Sequence, residues 1–363
     1  MEGALVWLVL ARAPSVGRVR LATLMSACPD PADAWRLSAA ELVQLEGWGR
    51  QAAEAVVAVR KDAAALRHAG AEWDRAVRAG LRLVALPAPD YPVHLRLTPD
   101  PPPFFYQAGP WTPDARPVVA IVGSRKPTPY GLAVAERFGR ELAQAGAVVV
   151  SGMARGIDCA AHRGALDVGG TTLAILGGGA DICYPREAAG IYHRIRETGG
   201  VISEQPPGAE PRSEHFPERN RIISGLAHGI LVVEAGQQSG TLITVGAALR
   251  QGRDVFAIPG PVTSPMSVGP HTLIRDGACL VTEPAQILEE LGFITPVPTK
   301  AAPVGLTPVE QRLLGWMGLD ARWAGDLASG CGLAAGEVQS LLTMLELKGL
   351  VRQVSGGQYR RIG

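Results

Sequence analysis

Short, mostly apolar runs alternate with longer amphipathic segments through the middle of the chain, from about residue 117 to residue 292. Such runs predict strands that are buried on both faces, because those strands lack polar alternation. The segments between them place apolar residues at helical spacing. The predicted strands are 118–122, 147–151, 171–176, 201–204, 229–234, 253–258 and 279–282. The pattern predicts an α/β fold whose mostly parallel sheet is covered by helices on both faces.

The residues before this region predict a helical domain followed by a connector. Residues 1–80 are rich in alanine and have helical spacing, so we expect an all-helical domain there. Within it, residues 42–56 look like a helix-hairpin-helix (SAM-like) unit. Its Gly47-Trp48-Gly49 turn either offers backbone amides to a DNA phosphate or only joins two packed helices. Residues 81–116 are rich in proline, which continues neither a ladder nor a helix, and they predict an extended connector.

The C-terminal part of the chain predicts a linker and a small second domain. Residues 293–306 are rich in proline and predict the linker. Residues 307–363 predict a winged helix with three helices and a terminal hairpin. Thr307 is placed to cap the first helix, and the hairpin is expected to turn at Gly356-Gly357.

The composition is that of a folded chain without an overall attraction to polyanions. Of 363 residues, 47% are hydrophobic and 19% are charged, and the net charge is +1, so a polyanion site would need a local concentration of basic residues. Five widely spaced cysteines without a C-x-x-C pair predict a reducing compartment and no zinc site. The apolar run at residues 4–11 is too short for a bilayer. We therefore expect a cytoplasmic protein with no membrane attachment.

Glycine, hydroxyl and basic residues stand at the ends of three predicted strands. The carboxyl ends of parallel strands meet at one edge of a sheet, where ligands bind. Backbone amides and arginines at such turns suit phosphate. Because several turns share this chemistry, we interpret the edge as a groove for nucleic acid. The candidate DNA-binding residues in these turns are Gly123, Ser124, Arg125, Lys126, Ser151, Gly152, Arg155, Ser239, Gly240 and Thr241.

A further cluster combines an aromatic residue with guanidinium groups. Phe216 precedes Arg219, Asn220 and Arg221 at the start of a predicted helix. An aromatic face close to arginines suits a stacked base flanked by phosphates. The alternative is a core phenylalanine with arginines that face solvent. We predict that Phe216 and its three polar neighbours contact DNA.

No motif predicts a cofactor, a metal or catalysis. The chain has neither a G-x-G-x-x-G fingerprint at the first turn nor a Walker A sequence, so we predict no bound cofactor. Its histidines fall in no metal-ligand spacing. Asp158 and His162 are four residues apart and could form an acid/base pair, but a helix-start aspartate beside a buried histidine explains them as well. We therefore predict no catalytic and no metal-binding residue.

Taken together, the turns resemble the DNA processing protein A family, also called DprA or Smf. The resemblance implies an extended Rossmann-like domain that binds single-stranded DNA and forms a homodimer. It also implies that the protein protects incoming strands in natural transformation and helps to load the recombinase RecA. The stretches that carry it are 119–125, 151–158 with His162, 184–185, 203–204, 216–225, 232–235, 239–244, 259–260 and 273–278.

The family's glycine–serine–arginine turn lines its DNA groove, and this role passes to Gly123, Ser124 and Arg125. By position, further groove contacts are expected from Arg155, Phe216, Arg219 and Arg221.

Two other functions compete with this one. The lysine-decarboxylase-like phosphoribohydrolases share this type of sheet and a glycine-rich turn near a glutamate. Here no carboxylate lies just past Thr241, although hydrolysis of a glycosidic bond needs positioned acids. A transcription regulator would read duplex DNA through the winged helix, whose third helix offers Lys348 as its sole base. We therefore expect the winged helix to contact protein or to bind duplex weakly.

Overall fold

The computed structural model describes residues 3–293, 306–317, 321–354 and 357–361. Within them, one sheet of nine strands runs through the molecule in the order β1-β2-β6-β5-β4-β3-β7-β8-β9. The strands are β1 Arg82–Ala85, β2 Phe104–Ala108, β3 Val118–Val122, β4 Val148–Ser151, β5 Thr172–Ile175, β6 Gly200–Ser203, β7 Gly229–Val232, β8 Asp254–Ala257 and β9 Cys279–Leu280. Every pairing from β6 to β9 is parallel. All of the predicted strands are present, and the predicted α/β class is confirmed.

Helices cover both faces of the sheet, and the side chains of β3 show how. Val119 and Ile121 pack in one apolar cluster with helices that follow β3 and β4, whereas Ala120 and Val122 pack in a second cluster on the other face. The first six helices are α1 Gly3–Leu10, α2 Arg18–Ala27, α3 Pro31–Ala34, α4 Ala39–Val43, α5 Arg50–Val59 and α6 Ala63–Arg78. Those of the central region are α7 Val93–Arg96, α8 Pro129–Gln144, α9 Ile157–Asp167, α10 Ala189–Thr198, α11 His215–Leu226, α12 Thr241–Arg250, α13 Val268–Arg275 and α14 Pro284–Glu290.

The N-terminal residues are helical, as predicted, but they share a core with the sheet. Buried residues of α1, such as Leu8, belong to the same apolar cluster as Phe105 of β2. A separate N-terminal domain therefore remains a prediction. α4 and α5 flank the predicted hairpin turn, in which Trp48 is buried. In the part of the chain that the structure describes, no helix combines the length and apolar character needed to cross a bilayer.

The prediction of a connector at residues 81–116 is wrong, because this segment adds two strands to the sheet. β1 pairs antiparallel with β2, and β2 pairs antiparallel with β6, where Tyr106 lies opposite Ser203. The hydroxyl of Tyr106 also donates a hydrogen bond to the buried Glu72 of α6. The prolines of the segment lie outside β1 and β2, so they interrupt no ladder. The central unit consequently begins near residue 82 and not at residue 117.

The C-terminal residues form a small winged helix with its own core. Its elements are α15 Pro308–Trp316, β10 Arg322–Trp323, α16 Ala324–Cys331, α17 Ala335–Leu347, β11 Val351–Val354 and β12 Gln358–Arg361. Thr307 caps α15 by accepting a hydrogen bond from the Glu310 amide, as predicted. β11 and β12 confirm the predicted hairpin. Most of the predicted linker 293–306 and residue 356 of the hairpin turn lie outside the described residues.

Candidate nucleic-acid interface

A groove opens at the carboxyl ends of β3, β4 and β7. The chain leaves β3 toward β4 on one side, while β7 lies on the other, so the groove occupies the point where the strand order reverses. Its cavity has a volume of about 700 Å³. The loops after β3 and β7, one side of α11 and the start of α12 line it. The groove lies at the edge of the sheet where the sequence predicts a site.

The Gly123-Ser124-Arg125 turn forms the floor of the groove. A Cβ at position 123 would lie 2.6 Å from Cγ1 of Ile157, so a residue without a side chain is needed there. The Ser124 amide donates to the Glu234 carbonyl at 2.7 Å, and its hydroxyl accepts from the Lys126 amide at 3.0 Å. Arg125 and Lys126 are exposed and line the groove. The turn therefore presents two cations from a fixed backbone.

The N-terminus of α8 is already occupied by a carboxylate of the protein. Glu234, buried at the end of β7, accepts hydrogen bonds from the Thr128 amide at 2.8 Å and the Thr128 hydroxyl at 2.5 Å. A Cβ at Gly131 would collide with this carboxylate. An anion in the groove must therefore use the loop and its side chains, not the end of α8. This role of Glu234 was not predicted from the sequence, although an acid directly after an apolar strand is a usable signal.

Hydrogen bonds to buried groups of the protein hold the loop after β4 in place. Ser151 is buried and donates to the Ile121 carbonyl at 2.6 Å, so the prediction that it contacts DNA does not agree with the structure. The Gly152 and Ala154 amides donate to the Asp158 carboxylate at 3.1 and 3.2 Å. Met153 adopts a positive φ of 59° between them. Asp158 thus fixes the shape of the loop.

Arg219 is a buried residue that supports this loop. Its guanidinium donates to the Gly152 carbonyl at 2.5 Å, to the Ile175 carbonyl and to the Asn220 side chain at 3.1 Å. Burial lowers the Arg219 pKa to about 10, so the group stays charged at neutral pH. Burial raises the pKa of Asp158, and the charge of Arg219 opposes that rise. Arg219 lines the groove, but several of its donors are already used.

Arg221 lies away from the groove, against the prediction. Its guanidinium makes two hydrogen bonds of 2.6 Å to Glu204 and one of 2.8 Å to the Asp100 carbonyl. The side chain is only 11% exposed. Residues two apart on a helix are rotated by about 200°, so Arg219 and Arg221 must face opposite sides of α11. The helical period alone could therefore have predicted, from the sequence, that only one of these two arginines faces the groove.

Phe216 and Asn220 line the groove on the α11 side, and their contact with DNA remains a prediction. The Arg125 and Arg219 guanidinium carbons lie 5.0 and 5.8 Å from the Phe216 ring centroid. Arg155 is exposed and forms an ion pair with Glu187. It lines a second, smaller cavity beside the groove instead of the groove itself.

The loop before α12 forms the opposite wall. Ser239, Gly240 and Thr241 all line the groove. The Ser239 hydroxyl accepts from the Thr241 amide at 3.2 Å and donates to the Thr241 hydroxyl at 2.9 Å. The positive end of the α12 dipole is therefore directed at the groove. These three predicted residues are brought together with Arg125 and Lys126, and their contact with DNA remains a prediction.

Asp158 and His162 do not form an acid/base pair among the described contacts. The His162 Nδ1 atom lies 2.7 Å from the Thr172 hydroxyl, whereas Asp158 binds loop amides. Burial lowers the His162 pKa to about 3, so the ring is neutral at physiological pH. Both residues are structural in this arrangement.

Two protein-family models together match most of the length of this chain. Residues 82–292 match the family model of DNA recombination-mediator protein A, and residues 297–357 match that of the DprA winged helix domain. Protein Smf of Escherichia coli is 43% identical over 255 residues, which cover 67% of each chain. Protein Smf of Synechocystis is 31% identical over 395 aligned positions, which cover 98% of each chain.

Solved structures show the same relationship. DNA processing protein A of Streptococcus pneumoniae superposes with a TM-score of 0.66 at 33% identity, covering 78% of this chain and 95% of the other. DNA processing protein A of Helicobacter pylori, studied for its single-stranded DNA binding mode, superposes with a TM-score of 0.51 at 27% identity, covering 58% and 95%. Because the match of the family model spans more than half of the chain, this protein belongs to the DNA recombination-mediator protein A family, known as DprA or Smf.

Proposed function

We propose that the groove binds single-stranded DNA without sequence preference. The observation that carries the proposal is the arrangement of Arg125: its guanidinium lies over Phe216 at the mouth of the groove. Among the described residues, no carboxylate forms an ion pair with Arg125 or Lys126, so both cations are available to a phosphate. An aromatic ring next to these charges adds a stacking surface, which duplex DNA cannot use while its bases are paired.

The names and descriptions of several relatives support this proposal. Curated relatives from Bacillus subtilis and Streptococcus pneumoniae are named DNA processing protein DprA. The Helicobacter pylori protein is described as binding single-stranded DNA. The groove of the present chain has the chemistry for the same ligand.

A titration of a labelled single strand and its duplex, each at two salt concentrations, tests the proposal. We expect tighter binding of the single strand and a log–log salt slope of about −0.7 per neutralised phosphate. Arg125→Glu should abolish most of the affinity, whereas Arg36→Glu, at an exposed arginine between α3 and α4, should leave it unchanged. Full affinity of the Arg125→Glu variant would refute the site.

The groove offers little for hydrolysis, so we propose a binding protein and not an enzyme. Asp158 is the sole carboxylate among the described residues that line the groove, and it is engaged by two amides of the protein. The competing phosphoribohydrolase would need a free acid at the glycosidic bond. Release of free base from a nucleoside monophosphate would contradict this proposal.

We also propose, from the family resemblance, that the protein protects incoming strands in the cytoplasm and transfers them to RecA as a homodimer. An apolar surface at the β8–β9 edge supports an interface in the central domain. Leu249 and Leu280 are 63% and 48% exposed there, and Leu249 lines a cavity of about 340 Å³. Sedimentation of wild type and Leu280→Glu tests the dimer, and a strand-exchange assay with coated single strands tests the transfer to RecA.

A further inference from the structure

The small sheet of the winged helix concentrates positive charge. Its strands β10, β11 and β12 contain four arginines and no acidic residue. The third helix, α17, contains Glu337 and Glu346 but no basic residue, and the Lys348 that follows it donates a hydrogen bond to Glu310. A DNA backbone would therefore find cations on the sheet and not on α17, although the corresponding helix of related motifs usually enters the DNA groove. The four arginines are Arg322, Arg352, Arg360 and Arg361.

Two of these arginines lie on the same face of the sheet. Arg352 is opposite Arg360 in the pairing of β11 with β12, and opposite residues of an antiparallel pair share a face. Their neighbours Val351 and Tyr359 are buried in the core of the winged helix. Because side chains alternate along a strand, Arg352 and Arg360 must lie on the outer face. We call these two residues the outer arginine face. Two adjacent guanidinium groups of this kind suit a phosphate.

One member of the outer arginine face is engaged by the central unit. The Arg360 guanidinium lies 3.5 Å from a carboxylate oxygen of Glu136 in α8. The two side chains are 17% and 5% exposed, so water has little access to this ion pair. Arg352 is exposed, and it forms no ion pair within the part of the chain that the structure describes. While the winged helix is docked on α8 in this way, Arg360 is not available to a phosphate.

Glu136 does not depend on Arg360 alone for compensation of its charge. Arg140, one turn further along α8, lies 3.2 Å from the Glu136 carboxylate, and Arg163 of α9 lies 3.8 Å from it. A buried charge that loses its sole partner is costly to the folded state. Here the carboxylate keeps two positive neighbours when Arg360 leaves. Release of the winged helix therefore leaves no uncompensated charge on the central unit.

The winged helix and the central unit also have separate apolar cores. Among the described residues, one apolar cluster belongs to the winged helix alone, and the other two contain residues that lie before position 294. Units that do not share a large hydrophobic interface are expected to move relative to each other. Release of the winged helix would thus break the ion pair without exposing a common core.

We propose that the outer arginine face is a second binding site for a DNA phosphate backbone, and that Glu136 competes with the phosphate for Arg360. In the docked arrangement, the winged helix adds little to the affinity for DNA. On release, Arg360 and Arg352 together face the phosphates. This proposal does not rest on the groove, since neither arginine nor Glu136 lines it. Single strands and duplexes both carry the ligand.

Two variants of the full chain break the ion pair from opposite sides. Glu136→Gln removes the charge that holds Arg360, and Arg360→Gln removes the arginine itself. Small-angle X-ray scattering should show a larger radius of gyration for both variants, because the winged helix is released. Glu141→Gln removes a charge from the same helix, where Glu141 pairs with Arg137, and this matched control should scatter like wild type. Wild-type radii for both Glu136→Gln and Arg360→Gln would overturn the proposed competition.

Titration of a labelled single strand and of its duplex tests the phosphate site. Glu136→Gln should bind DNA roughly three- to tenfold more tightly than wild type, because a larger share of the molecules is competent to bind. Glu141→Gln should show a much smaller gain, although it removes the same amount of negative charge. The double variant Glu136→Gln/Arg352→Glu should lose the gain. A gain with either form of DNA supports the site, and the comparison shows which backbone it binds.

The outcomes separate this site from the groove. A gain that persists in Glu136→Gln/Arg352→Glu, or the absence of a gain in Glu136→Gln despite a larger radius of gyration, would overturn the second site. Neither result would affect the groove, which Arg125→Glu tests. Arg360→Gln should gain less affinity than Glu136→Gln, because it releases the winged helix but lacks one arginine of the site. An equal gain in these two variants would exclude Arg360 from phosphate binding.

Discussion

The guanidinium carbon of Arg125 lies 5.0 Å from the centre of the Phe216 ring, at the boundary between the groove and the second cavity. Cation–π contact holds the long arginine side chain in one place while its charge stays available. Each residue therefore orients the other, and a change at either should affect both phosphate and base binding.

The first prediction concerns the ring itself. Phe216→Ala removes a stacking surface and the support of Arg125, so affinity for single-stranded DNA should fall roughly ten- to a hundredfold. Phe216→Tyr should retain most of the affinity because the ring remains. Fluorescence anisotropy with a labelled oligonucleotide measures both, with Trp323→Ala, an exposed aromatic of the winged helix, as control. Wild-type affinity in Phe216→Ala would exclude a stacking role.

The second prediction concerns the buried charges beneath the loop after β4. Arg219→Met leaves Asp158 buried without its positive neighbour, which should lower the free energy of unfolding by about 3–5 kcal/mol. The double variant Arg219→Met/Asp158→Asn removes both charges and should be less destabilised than the single variant. Urea unfolding followed by circular dichroism measures the difference. Equal losses in the two variants would show that the charges are not coupled.

The third prediction separates Arg221 from the groove. Arg221→Ala breaks the ion pair with Glu204 and leaves this buried carboxyl without its positive partner. Burial already disfavours the charged form of Glu204 and raises its pKa, so the loss of Arg221 should reduce the free energy of unfolding. Affinity of the folded variant for single-stranded DNA should stay within about twofold of wild type. Arg125→Ala should show the opposite pattern, with weaker binding and little change in stability. A large loss of affinity in folded Arg221→Ala would contradict the structural assignment.

The fourth prediction is a pH dependence of stability that arises from His162. Its pKa is lowered to about 3 by burial, below the value of about 6.5 in an unfolded chain, so on acidification the unfolded state binds the proton first. The His162 contribution to stability is complete above pH 6.5 and is lost as the pH falls from there toward 3. One such group contributes a slope of up to about 1.4 kcal/mol per pH unit.

Urea unfolding of wild type and His162→Gln between pH 7 and pH 4 measures this contribution. The slope should be shallower in the variant, because glutamine does not titrate. The raised pKa of Asp158 acts with the opposite sign, but it is present in both proteins and largely cancels in the difference. Parallel curves for the two proteins would show that His162 contributes no pH dependence.

The sequence predicts those features that depend on local patterns. Strand β3 is a continuous apolar run, and the turn after it carries the glycine that the crowding at Ile157 demands. Apolar periodicity likewise predicts the helices and the edge of the sheet at which the groove lies. The family resemblance adds which turns line that groove.

What could not be predicted depends on contacts between distant segments. The burial of Ser151 follows from its bond to Ile121, and the use of the α8 N-terminus by Glu234 follows from the pairing of β3 with β7. The second cavity needs Tyr184 and Phe216 in one place, although 32 positions separate them in the numbering. The high proline content of residues 81–116 led to the prediction of a connector in place of strands β1 and β2, because composition does not reveal which strand a segment pairs with.

The antiparallel addition of β2 to β6 has a practical consequence for dividing the protein. A fragment that starts at residue 117 would remove β1 and β2 and leave without partners the backbone groups of β6 that face β2, while β6 stays paired with β5 on its other side. Unpaired edges of this kind template association between molecules. Such a fragment should aggregate, whereas one that starts before Arg82 keeps the edge covered. The shortest fragment suitable for study in isolation is therefore longer than the region that carries the glycine-rich turns.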